Sequence, residues 1–101
     1  MSLQDEHERR VALFPEDVRE AHHHSSNHRV EIAASTTCGC FYCGSLFDPV
    51  RIEDWVDENK LGEGQTALCP VCGIDSVLGD KSGLSVTPEF LQKMKHYWFG
   101  E

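Results

Sequence analysis

Long apolar runs are missing from this chain of 101 residues. No stretch approaches the roughly 20 apolar residues of a membrane-spanning helix. The opening, MSLQDEHERR, is polar and charged and lacks the apolar segment of a secretory signal. Positive charge is also scarce. Nine Lys and Arg stand against seventeen Asp and Glu, for a formal net charge of −8. Arg9-Arg10 is the only basic pair, and Glu6 and Glu8 lie just before it. A duplex-binding domain normally carries a basic stripe, so nucleic acid is disfavoured as a partner. Low-complexity segments and internal repeats are absent too, apart from one short motif that occurs twice.

That motif is the most informative feature present. Cys40-Phe41-Tyr42-Cys43 and Cys69-Pro70-Val71-Cys72 are each followed by a glycine, Gly44 and Gly73. Cys-x-x-Cys spacing lets one tight turn aim two thiolates at one metal, and two such turns supply a closed S4 site for Zn2+. Glycine after the second sulfur lets the chain turn with positive φ at no steric cost. Cys40, Cys43, Cys69 and Cys72 are therefore the expected ligands of one structural zinc. The competing chemistry is a redox dithiol, which wants a single pair at a helix N-terminus. Cys38 is a fifth thiol. It reads as a small, partly buried side chain beside the site. The alternatives are a replacement for Cys40, which loses the tight knuckle, and a reactive or metal-exchanging thiol.

A chain of this size builds one core of marginal sufficiency, which a metal staple commonly supplements. Free thiolates fit a reducing cytoplasm, the expected location. A zinc held by four thiolates takes the chain to a net charge of about −10.

Residues 1–13 read as a polar tail or frayed helix, and residues 14–101 as a single domain. Phe14-Pro15-Glu16-Asp17 looks like a helix start with proline at N1. That helix is expected to run to about Ala21 or His24, with Ser25-Ser26-Asn27 as a break and a second helical piece over about 28–35; the alternative is one bent helix over both pieces. Asp48-Pro49 predicts a helical turn over 50–54, with Ile52 and Trp55 sharing its buried face. Residues 55–58 and 65–68 are expected to pair as a hairpin across a glycine-containing loop, and 74–78 to return as a strand. Thr87-Pro88-Glu89 opens the clearest helix, with N-cap, N1 proline and first-turn acid in place. Its apolar stripe is Phe90, Leu91, Met94, Tyr97 and Trp98. The predicted class is a small α+β fold with a zinc-ribbon-like β-sheet core, two zinc knuckles, an N-terminal helical segment and a C-terminal helix.

The two knuckles with short strands between and after them resemble the zinc-ribbon class. The runs HSSNHRVEIAASTTCGCFYCG, EDWVDE, TALCPVCGIDSVLG and TPEFLQKMKHYWF resemble a family of small bacterial cytoplasmic proteins of uncharacterised function. The resemblance covers roughly residues 22–99. It implies zinc binding and a cytoplasmic location, and it brings no catalytic residue with it.

Three other groups invite functional readings. His22, His23, His24 and His28 lie near Arg29, but no His-Glu-x-x-His pattern joins them. Solvated or capping roles are expected, with a small enzyme site over residues 22–29 as the alternative. Glu53, Asp54, Asp57, Glu58 and Glu63 form an acidic stretch, ordinarily a solvated face and alternatively a docking patch for a basic partner. Trp55, Tyr97 and Trp98 read as core, and Phe99 as an exposed aromatic available to a partner. The resulting reading is a zinc-stabilised, non-enzymatic binding module whose partner is a protein, with a basic surface. The rivals are a nucleic-acid-binding ribbon, a small enzyme and a zinc-thiolate redox switch.

Overall fold

The computed structural model describes residues 11–100, so the expectation for the first ten residues lies outside the described part. Its class is small α+β, and the described residues include helices at Glu16–His23, Arg29–Ala34 and Pro88–Phe99 and two short antiparallel sheets.

Helix α1 spans Glu16–His23. Pro15 is its N-cap and not N1, one residue off the expected start. The fixed φ of proline serves this position equally well, and Glu16 and Asp17 fill the acidic first turn. The Ser25–Asn27 break is real: Asn27 takes φ +49° and leads into helix α2, Arg29–Ala34. Helix α3, Pro88–Phe99, begins as its sequence requires: the Thr87 hydroxyl accepts from the Phe90 amide at 3.2 Å.

Strands β1 (Cys38–Cys40), β2 (Leu46–Phe47) and β5 (Val77–Gly79) make one sheet in the order β2-β1-β5. Strands β3 (Trp55–Glu58) and β4 (Gly64–Ala67) form the expected hairpin, with Trp55 opposite Ala67. A 3-10 turn at Pro49–Arg51 is capped by the Asp48 side chain. It is shorter than expected, so Ile52 and Trp55 share a core cluster but not a helical face. A second 3-10 turn, Asp80–Ser82, follows β5.

The three-stranded sheet separates two cores. Side chains alternate across a strand, so Cys38 and Cys40 point one way and Gly39 the other. Register carries this to the neighbours: Cys38 is opposite Phe47, Gly39 opposite Leu78, and Cys40 opposite Val77. The first face packs Cys38, Cys40, Phe47 and Val77 with Ile32 of α2 and with Ile52, Ala67 and Cys69. The second packs Leu78 with Val18 and Ala21 of α1, Leu91 and Met94 of α3, Phe14 and Phe41. Gly39 makes close packing of α3 possible. A methyl group there would stand 2.7 Å from Leu91 Cδ1 and 2.8 Å from Val86 Cγ1.

Candidate metal centre

Both Cys-x-x-Cys runs fold into the same turn. In the first, the Gly44 amide donates to the Cys40 carbonyl at 2.8 Å, and the Cys40 amide to the Ser45 carbonyl at 3.0 Å. In the second, Gly73 donates to Cys69 at 2.9 Å and Cys69 to Ile74 at 2.9 Å. Gly44 and Gly73 have φ of +79° and +80°, which explains a glycine at both positions. The local sequences thus build two matching knuckles. The β1–β5 pairing and the packing of Cys69 into the first core bring them face to face.

The four sulfurs of Cys40, Cys43, Cys69 and Cys72 all lie within 4.8 Å of one another. Across the knuckles, Cys40 Sγ is 3.6 Å from Cys72 Sγ and Cys43 Sγ is 3.7 Å from Cys69 Sγ. Four sulfurs each about 2.3 Å from a central zinc would be about 3.8 Å apart in a regular tetrahedron. The spacing fits a metal and is much too long for disulfides, which need about 2.05 Å. Neither pair stands at a helix N-terminus, the usual place of a redox dithiol.

The first sulfur of each knuckle is buried and receives amide donors. Tyr42 N lies 3.4 Å from Cys40 Sγ, and Val71 N lies 3.3 Å from Cys69 Sγ. The Ser76 hydroxyl adds a contact to Cys40 Sγ at 3.1 Å. The second sulfurs lie nearer solvent, with Cys43 exposed and Cys72 half-buried.

Charge explains why these thiols need a cation. Burial raises the Cys40 pKa against the opposing hydrogen bond from Ser76. Burial, then the adjacent Cys40 sulfur, pushes Cys72 up to about 12 against an opposing amide bond from Ile74. At Cys43 burial also pushes upward, but hydrogen bonding with Ser45, Cys69 and Cys40 outweighs it and brings the thiol to about 7. Four thiolates this close cannot ionise together in isolation; a divalent cation at their centre removes the conflict.

Cys38 is fully buried and outside this cluster. It fills the first core, and burial pushes it up to about 12, with smaller contributions from Asp80 and Asp48. The exchange of Cys38 for Cys40 is thus not the arrangement found. Residues 38 and 40 share a face of β1, but only 40 begins the turn.

Three of the four clustered histidines, His22, His24 and His28, hold specific contacts. His28 is buried. Its Nδ1 bonds the His24 carbonyl and its Nε2 accepts from the Ala67 amide at 3.0 Å. That pair of bonds fixes the neutral ring with the proton on Nδ1. The ring clasps α2 to strand β4, alongside the His28 amide donating to the Gln65 carbonyl at 2.8 Å. His24 pairs with Glu31 at 3.0 Å. His22 stacks on Trp98, with ring centroids 3.9 Å apart. Sequence reasoning did not find the His28 clasp. Its partner is 39 residues away, and no local signal marks it.

Burial lowers the His28 pKa from the ordinary 6.5, outweighing the bond to His24 and the charge of Glu31, and the His24 ring acts in the same direction as burial. The unfolded chain therefore takes up a proton near pH 6.5 that the folded chain refuses until lower pH. Stability from this residue is complete above that value and is lost as pH falls below it, by at most about 1.4 kcal/mol per pH unit. His28→Gln keeps an acceptor for the Ala67 amide and does not titrate. Melting curves at saturating zinc between pH 7.5 and 5.5 should show a shallower acid loss in the variant. Equal slopes would show that His28 does not contribute.

The remaining expected features fall as follows. Glu53, Asp54, Asp57, Glu58 and Glu63 are all exposed. Phe99 is 40% exposed and rests against Phe41 and Tyr42, the two residues inside the first knuckle. Trp98 is half-buried, and its indole N–H donates to the Val18 carbonyl at 3.2 Å. Among the described residues, no helix is long and apolar enough to cross a membrane.

No family model, curated protein or solved structure matches this chain. The functional reading therefore rests on the geometry of the site.

Proposed function

We propose that this protein is a zinc-stabilised, non-enzymatic binding module of zinc-ribbon type, acting in the cytoplasm. The observation that carries the reading is the convergence of four cysteine sulfurs within 4.8 Å from two matching knuckles. Cys40, Cys43, Cys69 and Cys72 would hold one Zn2+. Four thiolates close the tetrahedron and leave no position for water or substrate, so the metal would act as a staple and not as a Lewis acid.

The partner in this reading is a protein with a basic surface. The exposed acids around β3 and β4 support it, and neither ion pair found among the described residues engages them. The histidine segment gives little support to an enzyme, since both ring nitrogens of His28 are committed to backbone groups. A net charge of −8 argues against a nucleic-acid ribbon.

Elemental analysis of protein purified without added metal should find one zinc per chain. Folded, metal-free protein would overturn the reading. Titration with mixed-sequence DNA and RNA at about 0.15 M salt should give no dissociation constant tighter than about 1 μM. Tighter, salt-dependent binding would favour the nucleic-acid ribbon.

A further inference from the structure

Basic side chains gather in one groove of the described surface. A groove of about 460 Å³ runs along α2, between the end of α1, strand β4 and the turn after β5. His23, His24, Arg29 and Lys81 line it, together with Gln65. Glu31 is the sole carboxylate in its wall, and His24 is bonded to both its oxygens, at 3.0 and 3.1 Å. A chain with nine Lys and Arg against seventeen acids thus places an arginine, a lysine and three histidines around one concavity.

Arg29 is also held in place. One guanidinium nitrogen donates to the Gly64 carbonyl at 2.7 Å, and the guanidinium carbon lies 4.5 Å from the centroid of the Trp55 ring. An arginine anchored at two points has already lost its rotamer freedom, so a ligand need not supply that ordering. The floor of the groove is equally fixed, because His28 is clasped at both nitrogens. Lys81 is exposed, and no ion pair among the described residues includes it.

We propose that this groove is a binding site for a small oxyanion-bearing molecule, with the planar fork of Arg29 and the ammonium of Lys81 as its charged contacts. Phosphate and carboxylate share the required chemistry, since both accept paired N–H donors from a guanidinium. The volume suits a metabolite of ordinary size. A long polyanion is a poorer occupant. The hairpin beside the groove carries Asp57, Glu58 and Glu63, all exposed, which would repel a charged backbone continuing across it.

This site does not depend on what the zinc module binds elsewhere, and its test leaves the cysteines untouched. Two-dimensional NMR of the zinc-loaded protein can follow titrations with inorganic phosphate and, separately, with citrate, at constant ionic strength against chloride. The amides of Gln65 and Lys81 and the indole N–H of Trp55 should shift in a saturable way. The indole N–H of Trp98, on the other side of the sheet, should not. Which anion saturates at lower concentration assigns the phosphate or carboxylate class. Lys81→Met, an exposed change, should weaken binding about tenfold or more without altering the rest of the spectrum. Arg29→Lys keeps the charge but not the fork and should weaken it similarly. Linear, unsaturable shifts, shifts reproduced by chloride, or undiminished binding in Lys81→Met would each overturn the proposal.

Discussion

Replacing Cys40 by serine should abolish both metal binding and the stable fold, whereas replacing Cys38 by alanine should leave the metal bound. The two residues lie on the same face of one strand and are both fully buried, so they are matched controls. Only Cys40 belongs to the four-sulfur cluster. A structural zinc contributes roughly 10–16 kcal/mol at neutral pH, against roughly 5–15 kcal/mol for the net stability of an ordinary domain. Losing one buried ligand would remove much of that term. The knuckles would then lose the link between their sulfurs, and the first core, which includes Cys40 and Cys69, would open. Cys38→Ala removes one sulfur from the same core and should cost only about 1 kcal/mol, the scale of a small cavity. Zinc content and circular dichroism of the two variants check this. A Cys40→Ser protein that keeps zinc and melts like the parent would show that Cys38 can replace it.

The second large effect is expected at Leu91. This side chain is 1% exposed and belongs to the other core from Cys40 and Cys69. It fills the space over Gly39, where no side chain intervenes between strand and helix. Leu91→Ala would leave a cavity between two rigid elements that cannot easily close, and should cost about 2–5 kcal/mol. For a domain of this size that lowers the melting temperature by roughly 10 °C or more. Zinc stoichiometry should stay unchanged, because Cys40 and Cys69 pack in the opposite core. A melting curve indistinguishable from the parent's would mean that α3 is peripheral to the fold.

What could be read from the sequence was local. The knuckles are legible because ligand spacing and the glycine turn are encoded within a few residues. Thr87-Pro88 and Asp48-Pro49 are legible for the same reason: each cap bonds an amide two or three residues away. The hairpin at Trp55–Glu58 and Gly64–Ala67 was readable from its loop. Strand β1 was not. Cys-Gly-Cys has little intrinsic preference for a strand, and its place between β2 and β5 depends on Val77–Gly79, nearly forty residues on. Tertiary pairing decides there, as it commonly does for strands. The His28 clasp and the groove beside Arg29 were hidden in the same way. Each needs α2 laid against β4, and nothing near residue 28 announces that contact.

The central claim is a closed all-sulfur zinc centre, and X-ray absorption at the zinc edge of the purified protein tests it most directly. The expected result is a single shell of four sulfurs at about 2.3 Å. A shell containing nitrogen or oxygen, or fewer than four sulfurs, would contradict it.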